Sequence, residues 1–415
     1  MHGHAVATEQ QHEHERAALR LWDHPVVAEA REKVAADWLE REQPSTVMKD
    51  CFDQAFEEVM FSATIWSSNQ DPRYPKVTCI TRLEHQLDGL RIPGSRWGID
   101  NPDSIYRVIP ISGEERYEIR GRVGANRMTE NYFTLWDPNM GTEGLLDGHD
   151  LVIDPDGSFT VTVDPEPAGG RPNHVRSTPD AHEFYIRDVM LDWATDDPNW
   201  MEIVRLGPPT GAAALTDDEQ AERTARYMAH FADFSAGLSS GMTSVPPNQF
   251  HLAYSADQGG ALRNQVYVGG HFRLEDDEAF VIDVNDGGAA YFTVPVSNVW
   301  GTTMEIVDRT GSLNKAQSEP NADGTWTYVL ANEDPGVHNW VDPCGLTEGI
   351  LTLRMAEFPD QHPNDGLAAS GQVVKLADLD SALPAGTREV TPADRSRQLA
   401  DRRDGYLRRL PEAVS

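Results

Sequence analysis

"DGSFTVTVDPEPAGGRPNH", Asp156 to His174, and "DGTWTYVLANEDPGVHNW", Asp323 to Trp340, are two versions of one phrase in a chain of 415 residues. In each, Asp-Gly supplies the positive φ of a tight turn, and the alternation of aromatic residues with Thr and Val predicts a half-buried strand. Asp156, Gly157, Phe159 and Arg187 match Asp323, Gly324, Trp326 and Arg354 at an offset of 167, and Asn173 matches Asn339 at 166. A second series, Asp103, Tyr106 and Tyr117 against Asp277, Phe280 and Tyr291, shares an offset of 174. Ordered matches of this kind predict an internal duplication, with loop insertions accounting for the drift in offset.

The surroundings repeat as well. A helical N-terminal segment, residues 1–75, precedes strand-and-turn composition over 76–208, a helix-rich linker over 209–245, and strands again over 246–372. In the first segment a helix is expected from Glu15 to Arg41, started or kinked by Pro25. A second, from Ser45 to Trp66, carries an apolar face that includes Phe52, Val59 and Trp66 and an acidic, polar outer face. Thr216 and Glu219 form a capping-box pair opening the linker helix. The tail, 373–415, reads as a basic helix with Thr391 as N-cap and Pro392 at its first position, docked on the acidic body or on a second subunit. The expected class is therefore mainly β with helical layers: two antiparallel β-sandwich or jelly-roll domains.

Composition narrows the partners. The formal charge of −32 repels phosphate backbones, so neither nucleic acid nor an anionic membrane surface is expected to bind. No apolar run reaches the length of a membrane helix. Three widely spaced cysteines without a CxxC read as reduced thiols, and a start without an apolar leader reads as cytoplasmic. His2, His4, His12 and His14 are expected to lie in a terminus without a fixed frame.

Two segments resemble known families. "GIDNPDSIYRVIPISGEERYEIRG", Gly98 to Gly121, is similar to the Asn-Pro-Asp and Tyr pattern of bacterial domain-of-unknown-function 1254 proteins. Tyr291 to Met355, with Asp323-Gly324, Trp326, Asn339-Trp340 and Leu353-Arg354 in the family's places, resembles a divergent domain-of-unknown-function 1214. The resemblance implies a β-sandwich with jelly-roll character, in a family where oligomers are frequent and a homo-oligomer is an open expectation, and it carries no reaction with it.

The stretch "SRWGIDNPDSIYR" gathers polar and aromatic groups between strands. Trp97, Asn101, Tyr106 and Arg107 are the candidate binding residues, joined by Arg82 from "TRLEHQ", with Asp103, Asp100 and His85 as candidate acids and bases. Alternation along a strand would put Arg82 and Glu84 on one face and His85 on the other. Paired carboxylates would suit glycoside hydrolysis, for which Glu84, Asp100, Asp103 and Asp277 are undiscriminated candidates. "DLVIDPDG" lacks calcium-loop spacing and reads as a turn, and no metal-ligand, nucleotide or nucleophile motif supports a metal or cofactor. The leading expectation is a cleft for a small organic or carbohydrate-like molecule, with hydrolase or lyase chemistry if the protein is an enzyme. The alternative is a non-enzymatic binding or assembly module.

Overall fold

The computed structural model describes residues 4–208, 213–254, 265–359 and 361–409. Four helices come first: α1 (Glu9–Trp22), α2 (Pro25–Glu42), α3 (Thr46–Asp50) and α4 (Phe52–Ser68). Pro25 opens a separate helix because its missing N–H costs nothing at the first position, and Thr8 caps α1. The expected disorder is overturned for His12 and His14, which lie in α1, with His14 buried and bonded to Ile65 O at 3.0 Å and Ser68 Oγ at 3.1 Å, while His2 lies outside the described residues. The single helix expected from Ser45 is broken at Cys51, whose ψ of 1° separates α3 from α4.

Eleven strands follow: β1 (Thr78–Cys79), β2 (His85–Leu87), β3 (Leu90–Ile92), β4 (Ser104–Pro110), β5 (Arg116–Arg122), β6 (Glu130–Trp136), β7 (Thr142–Asp147), β8 (Ser158–Asp164), β9 (His174–Arg176), β10 (Glu183–Val189) and β11 (Trp200–Leu206). After α5 (Asp217–Thr243) come β12 (Gln249–Tyr254), β13 (Gln265–Arg273), β14 (Glu278–Asn285), β15 (Tyr291–Ser297), β16 (Ser312–Asn314), β17 (Trp326–Leu330), β18 (Trp340–Val341), β19 (Glu348–Ala356) and β20 (Ala368–Lys375). The short α6 (Leu379–Ala382) and α7 (Pro392–Arg409) end the described chain. None of the described helices is long and apolar enough to cross a membrane.

The strands build two sandwiches with the same plan. In the first, the five-stranded sheet β1-β4-β10-β6-β7 faces the four-stranded sheet β9-β8-β5-β11; in the second, β12-β13-β19-β15-β16 faces β18-β17-β14-β20. Even the one parallel pair recurs, β8 with β9 and β17 with β18. The first core joins Ile109, Phe133 and Ile186 to Ile119 and Val161. The second joins Val268, Val294 and Leu353 to Phe280 and Tyr328, and runs without a break into the helical layer.

The repeated phrase does the same work in both copies. Gly157 and Gly324 take φ of +85° and +84°, and Asp156 and Asp323 each accept the backbone N–H two residues on at 3.0 Å. Asn173 then clasps the peptide of Val152, and Asn339 that of Glu319, by donating to its carbonyl and accepting from its N–H. The 174-residue series is corrected. Tyr117 lies on β5 and Tyr291 on β15, whereas the topological equivalents are β5 with β14 and β6 with β15. Aromatic-polar strand composition produced that match by coincidence. One boundary also moves: Val373 and Val374 pair with Phe280 and Ala279, so the last strand passes residue 372.

Candidate functional site at the junction of the two sandwiches

The residues singled out in the sequence fall into separate networks. Trp97 packs in an aromatic cluster with Trp66 at 5.1 Å and Phe231 at 4.6 Å, where α4 and α5 meet the loop before β4. Asp103, 1% exposed, accepts from Trp193 Nε1 at 2.7 Å, Asn314 Nδ2 at 2.8 Å and Tyr291 OH at 2.8 Å. Asn101 donates to Tyr291 OH at 2.8 Å, its N–H goes to Tyr106 OH, and Asp100 accepts from Thr303 N at 2.8 Å. Alternation along β4 sends Arg107 to the opposite face from Tyr106, where it pairs with Asp188 at 2.7 Å and donates to Asn199 O.

Arg82 and His85 meet after all, contrary to regular alternation. Arg82 forms only an isolated bridge with Ser95 and the strand begins at His85, so both side chains reach buried Glu15 of α1. Burial raises the Glu15 carboxyl, but His85 and Arg82 outweigh it and hold it at about 2. Arg82, Asp100 and Asn101 also line a cavity of about 10 Å³ with Tyr406 and Arg409, room for one water and nothing larger.

A different set of groups converges between the sandwiches. Because the inner faces of the five-stranded sheets fill the two cores, alternate residues point outward from each, and those outer faces meet at Val189, Tyr291 and Ala356. Val189 and Ala356 are themselves 167 apart, so the contact relates equivalent points of the two copies. Two residues back along each central strand stands an arginine. Arg187 of β10 lies between Tyr106 of β4 and Tyr132 of β6 in register, and Arg354 of β19 lies between Tyr267 of β13 and Thr293 of β15. The Arg187 guanidinium sits 4.5 Å from the Tyr185 ring, which stacks on Trp136 at 4.3 Å; that of Arg354 sits 5.9 Å from the Tyr267 ring.

Several side chains of this junction are buried but incompletely bonded. Arg354, 7% exposed, donates through Nη2 to Ile99 O, while its Nε and Nη1 find no acceptor among the described residues. Glu130, on the same face of β6 as Tyr132 and 1% exposed, has both carboxyl oxygens without a described donor. The hydroxyls of Thr134, Thr293 and Thr352 and the Trp136 indole N–H share that condition. Burial pushes the Glu130 carboxyl well above its usual range, with Glu357 adding to the shift and Arg187 opposing it. Burial likewise raises the Tyr185 and Tyr267 hydroxyls, and both guanidinia oppose the shift at each ring. Such a face offers cationic, donor-rich ends and aromatic walls. No group of three or more His, Cys, Asp or Glu poised to hold a metal occurs among the described residues.

Part of this was visible in the sequence, since Arg187 with Arg354 belonged to the repeat and Tyr106 to the candidate stretch. Glu130, Tyr132, Tyr185, Tyr267, Thr293 and Thr352 were missed. Their signal is polar or aromatic residues at every second position of strands whose other face is apolar, as in "EFYIRDV" and "GILTLRM".

Fold and junction define a tandem β-sandwich protein with helical layers, its two copies meeting on polar, arginine-bearing sheet faces. Among solved structures it is similar to an uncharacterised protein from Burkholderia cenocepacia, at 23% identity and a TM-score of 0.72 over 87% of this chain and 99% of that one. The VPA0106 protein from Vibrio parahaemolyticus also aligns, at 10% identity and a TM-score of 0.46 over 80% of this chain and 100% of that one. No protein-family model matches the chain. No curated protein matches it either.

Proposed function

We propose that the protein binds a small organic anion, aromatic or carbohydrate-like, at the junction of its two sandwiches. The observation that carries this reading is Arg354. A guanidinium stays charged at any physiological pH, and leaving two of its donor nitrogens buried without acceptors costs several kcal/mol unless something supplies them. Anionic oxygens accept from such nitrogens in charge-assisted hydrogen bonds, while Tyr185, Trp136 and Tyr267 offer ring faces to the rest of the molecule. The three free cysteines support a reducing, cytoplasmic setting, and the tandem sandwich fold supports divergent membership of the domain-of-unknown-function 1254/1214 group. Binding alone is proposed, with no covalent step.

Calorimetric titration with benzoate, glucuronate and inorganic phosphate tests it. At least one carboxylate is expected to bind, and Arg354→Met is expected to weaken it by about tenfold or more, the loss of a charged hydrogen-bonded pair. Failure of all three probes, or equal binding by a folded Arg354→Met variant, overturns the reading.

A further inference from the structure

Glu130 is the second incompletely bonded group of the junction, and its surroundings decide its form. Tyr132, two residues along the same strand, gives its hydroxyl proton to Glu357 at 2.9 Å, and His149 bonds the other Glu357 oxygen at 2.7 Å. Asp147, at the end of β7, accepts the His149 N–H, and Asp103 is held by Trp193, Tyr291 and Asn314. Tyr132 and His149 are thus committed to other carboxylates, and Glu357, Asp147 and Asp103 all repel a charge on Glu130. Facing it from the other strands are Arg187 on β10, Tyr267 on β13 and Tyr291 on β15, of which Arg187 alone is a cation. An ionised Glu130 would be a buried anion without a described donor; a protonated one has a single O–H and no described acceptor.

We propose that Glu130 is a specificity-determining residue that stays a neutral carboxylic acid and donates its O–H to the anionic group of the molecule bound at the junction. This rests on the binding reading above. Glu130 stands opposite Val189 in register, Val189 meets Tyr291 and Ala356, and Arg354 lies two residues back from Ala356, so a carboxylate held at this contact would take guanidinium N–H groups at one side and the acid O–H at the other. A neutral acid donating to an oxyanion selects ligands with an anionic oxygen acceptor and rejects ammonium groups, which offer it none.

The test uses the full chain, with benzoate as the probe, titrated from acid to alkaline pH. Above the range in which benzoate itself is protonated, roughly pH 4, affinity is expected to be flat while Glu130 holds its proton and to fall about tenfold per pH unit wherever Glu130 ionises. Glu130→Gln, whose amide N–H₂ donates at every pH, is expected to bind within about threefold of the wild type and to lose that pH dependence. Glu130→Leu, which donates at no pH, is expected to weaken benzoate by about tenfold or more; a folded Glu130→Leu variant that binds as the wild type does overturns the proposal and leaves the binding reading standing, and so does a cooperatively melting Glu130→Gln variant that no longer binds. A wild type that binds benzoate at no pH removes this proposal. Failure with glucuronate and phosphate as well removes the binding reading with it.

Discussion

Glu183 shows most plainly how burial sets the chemistry of one side chain in this protein. It opens β10, accepts from Trp66 Nε1 at 2.9 Å and Gln70 Nε2 at 3.1 Å, and is pushed up to about 7 by burial against the pull of those two bonds. The folded state keeps a proton that the unfolded chain has already released, so the stability this group supplies is present below the usual carboxylate range and is lost as pH rises to about 7. Glu183→Gln keeps an acceptor for both donors and never ionises. It is expected to flatten the fall in stability toward neutral pH and to be the more stable form above it by on the order of 1–3 kcal/mol. Denaturant titrations of both proteins across that range decide it, parallel profiles being the contrary result. Nothing in "AHEFYIRD" announced this, because a glutamate at a strand start reads as solvent-facing until the helix that covers it is placed. The same holds for Glu58, expected on a polar outer face and found buried against Arg96 at 2.8 Å.

At the scale of elements, features with local causes were legible and those set by distant packing were not. The capping box of Thr216 and Glu219 opens α5 as expected, with the reciprocal bonds at 2.8 and 3.3 Å, and Thr391 caps α7 with Asp394. Where α7 docks is a tertiary matter. It lies on its own chain and ties the two copies together: Arg395 grips Asp334, Arg403 pairs with Asp308, Arg408 pairs with Asp197 and Arg409 donates to Pro102 O. Arg402 is the buried centre of this strap, donating to Ser312 Oγ at 2.8 Å and Gln317 Oε1 at 3.0 Å with its guanidinium 4.4 Å from the Trp193 ring. Burial drives it down to about 10, so it remains charged at neutral pH and depends on those acceptors. Arg402→Met removes the donors and strands the acceptors, for an expected loss of about 2–4 kcal/mol with the secondary structure intact. Thermal melts followed by circular dichroism measure it, and an unchanged midpoint would mean that the helix is held by its other contacts and not by Arg402.

Across the whole molecule, the duplication explains both what was read correctly and what was not. The turns and strands of one sandwich are written in short-range chemistry, so the repeated Asp-Gly phrase exposed the architecture; the junction is written across the two copies, where no local pattern records which faces meet. The copies are also not free-standing. Asp103 of the first copy is bonded by Tyr291 and Asn314 of the second, Arg354 donates to Ile99 O, and Trp300 packs 4.7 Å from Phe52 and donates to Met48 O at 2.8 Å. Phe231 of α5 meanwhile sits 5.7 Å from Trp66 of α4, so each half completes the other's core. Produced as two polypeptides, residues 1–215 and 216–415, each half alone would expose these aromatic faces and the buried charges of the junction to water. Neither is expected to melt cooperatively by itself, whereas co-expression should yield a one-to-one complex that does, because the lost covalent link is replaced by an interface the size of a domain core. Size-exclusion chromatography with mass determination, followed by thermal melts, reads the outcome. A first half that unfolds cooperatively on its own at the temperature of the intact protein would make the two sandwiches independent domains, and the junction a contact between finished surfaces.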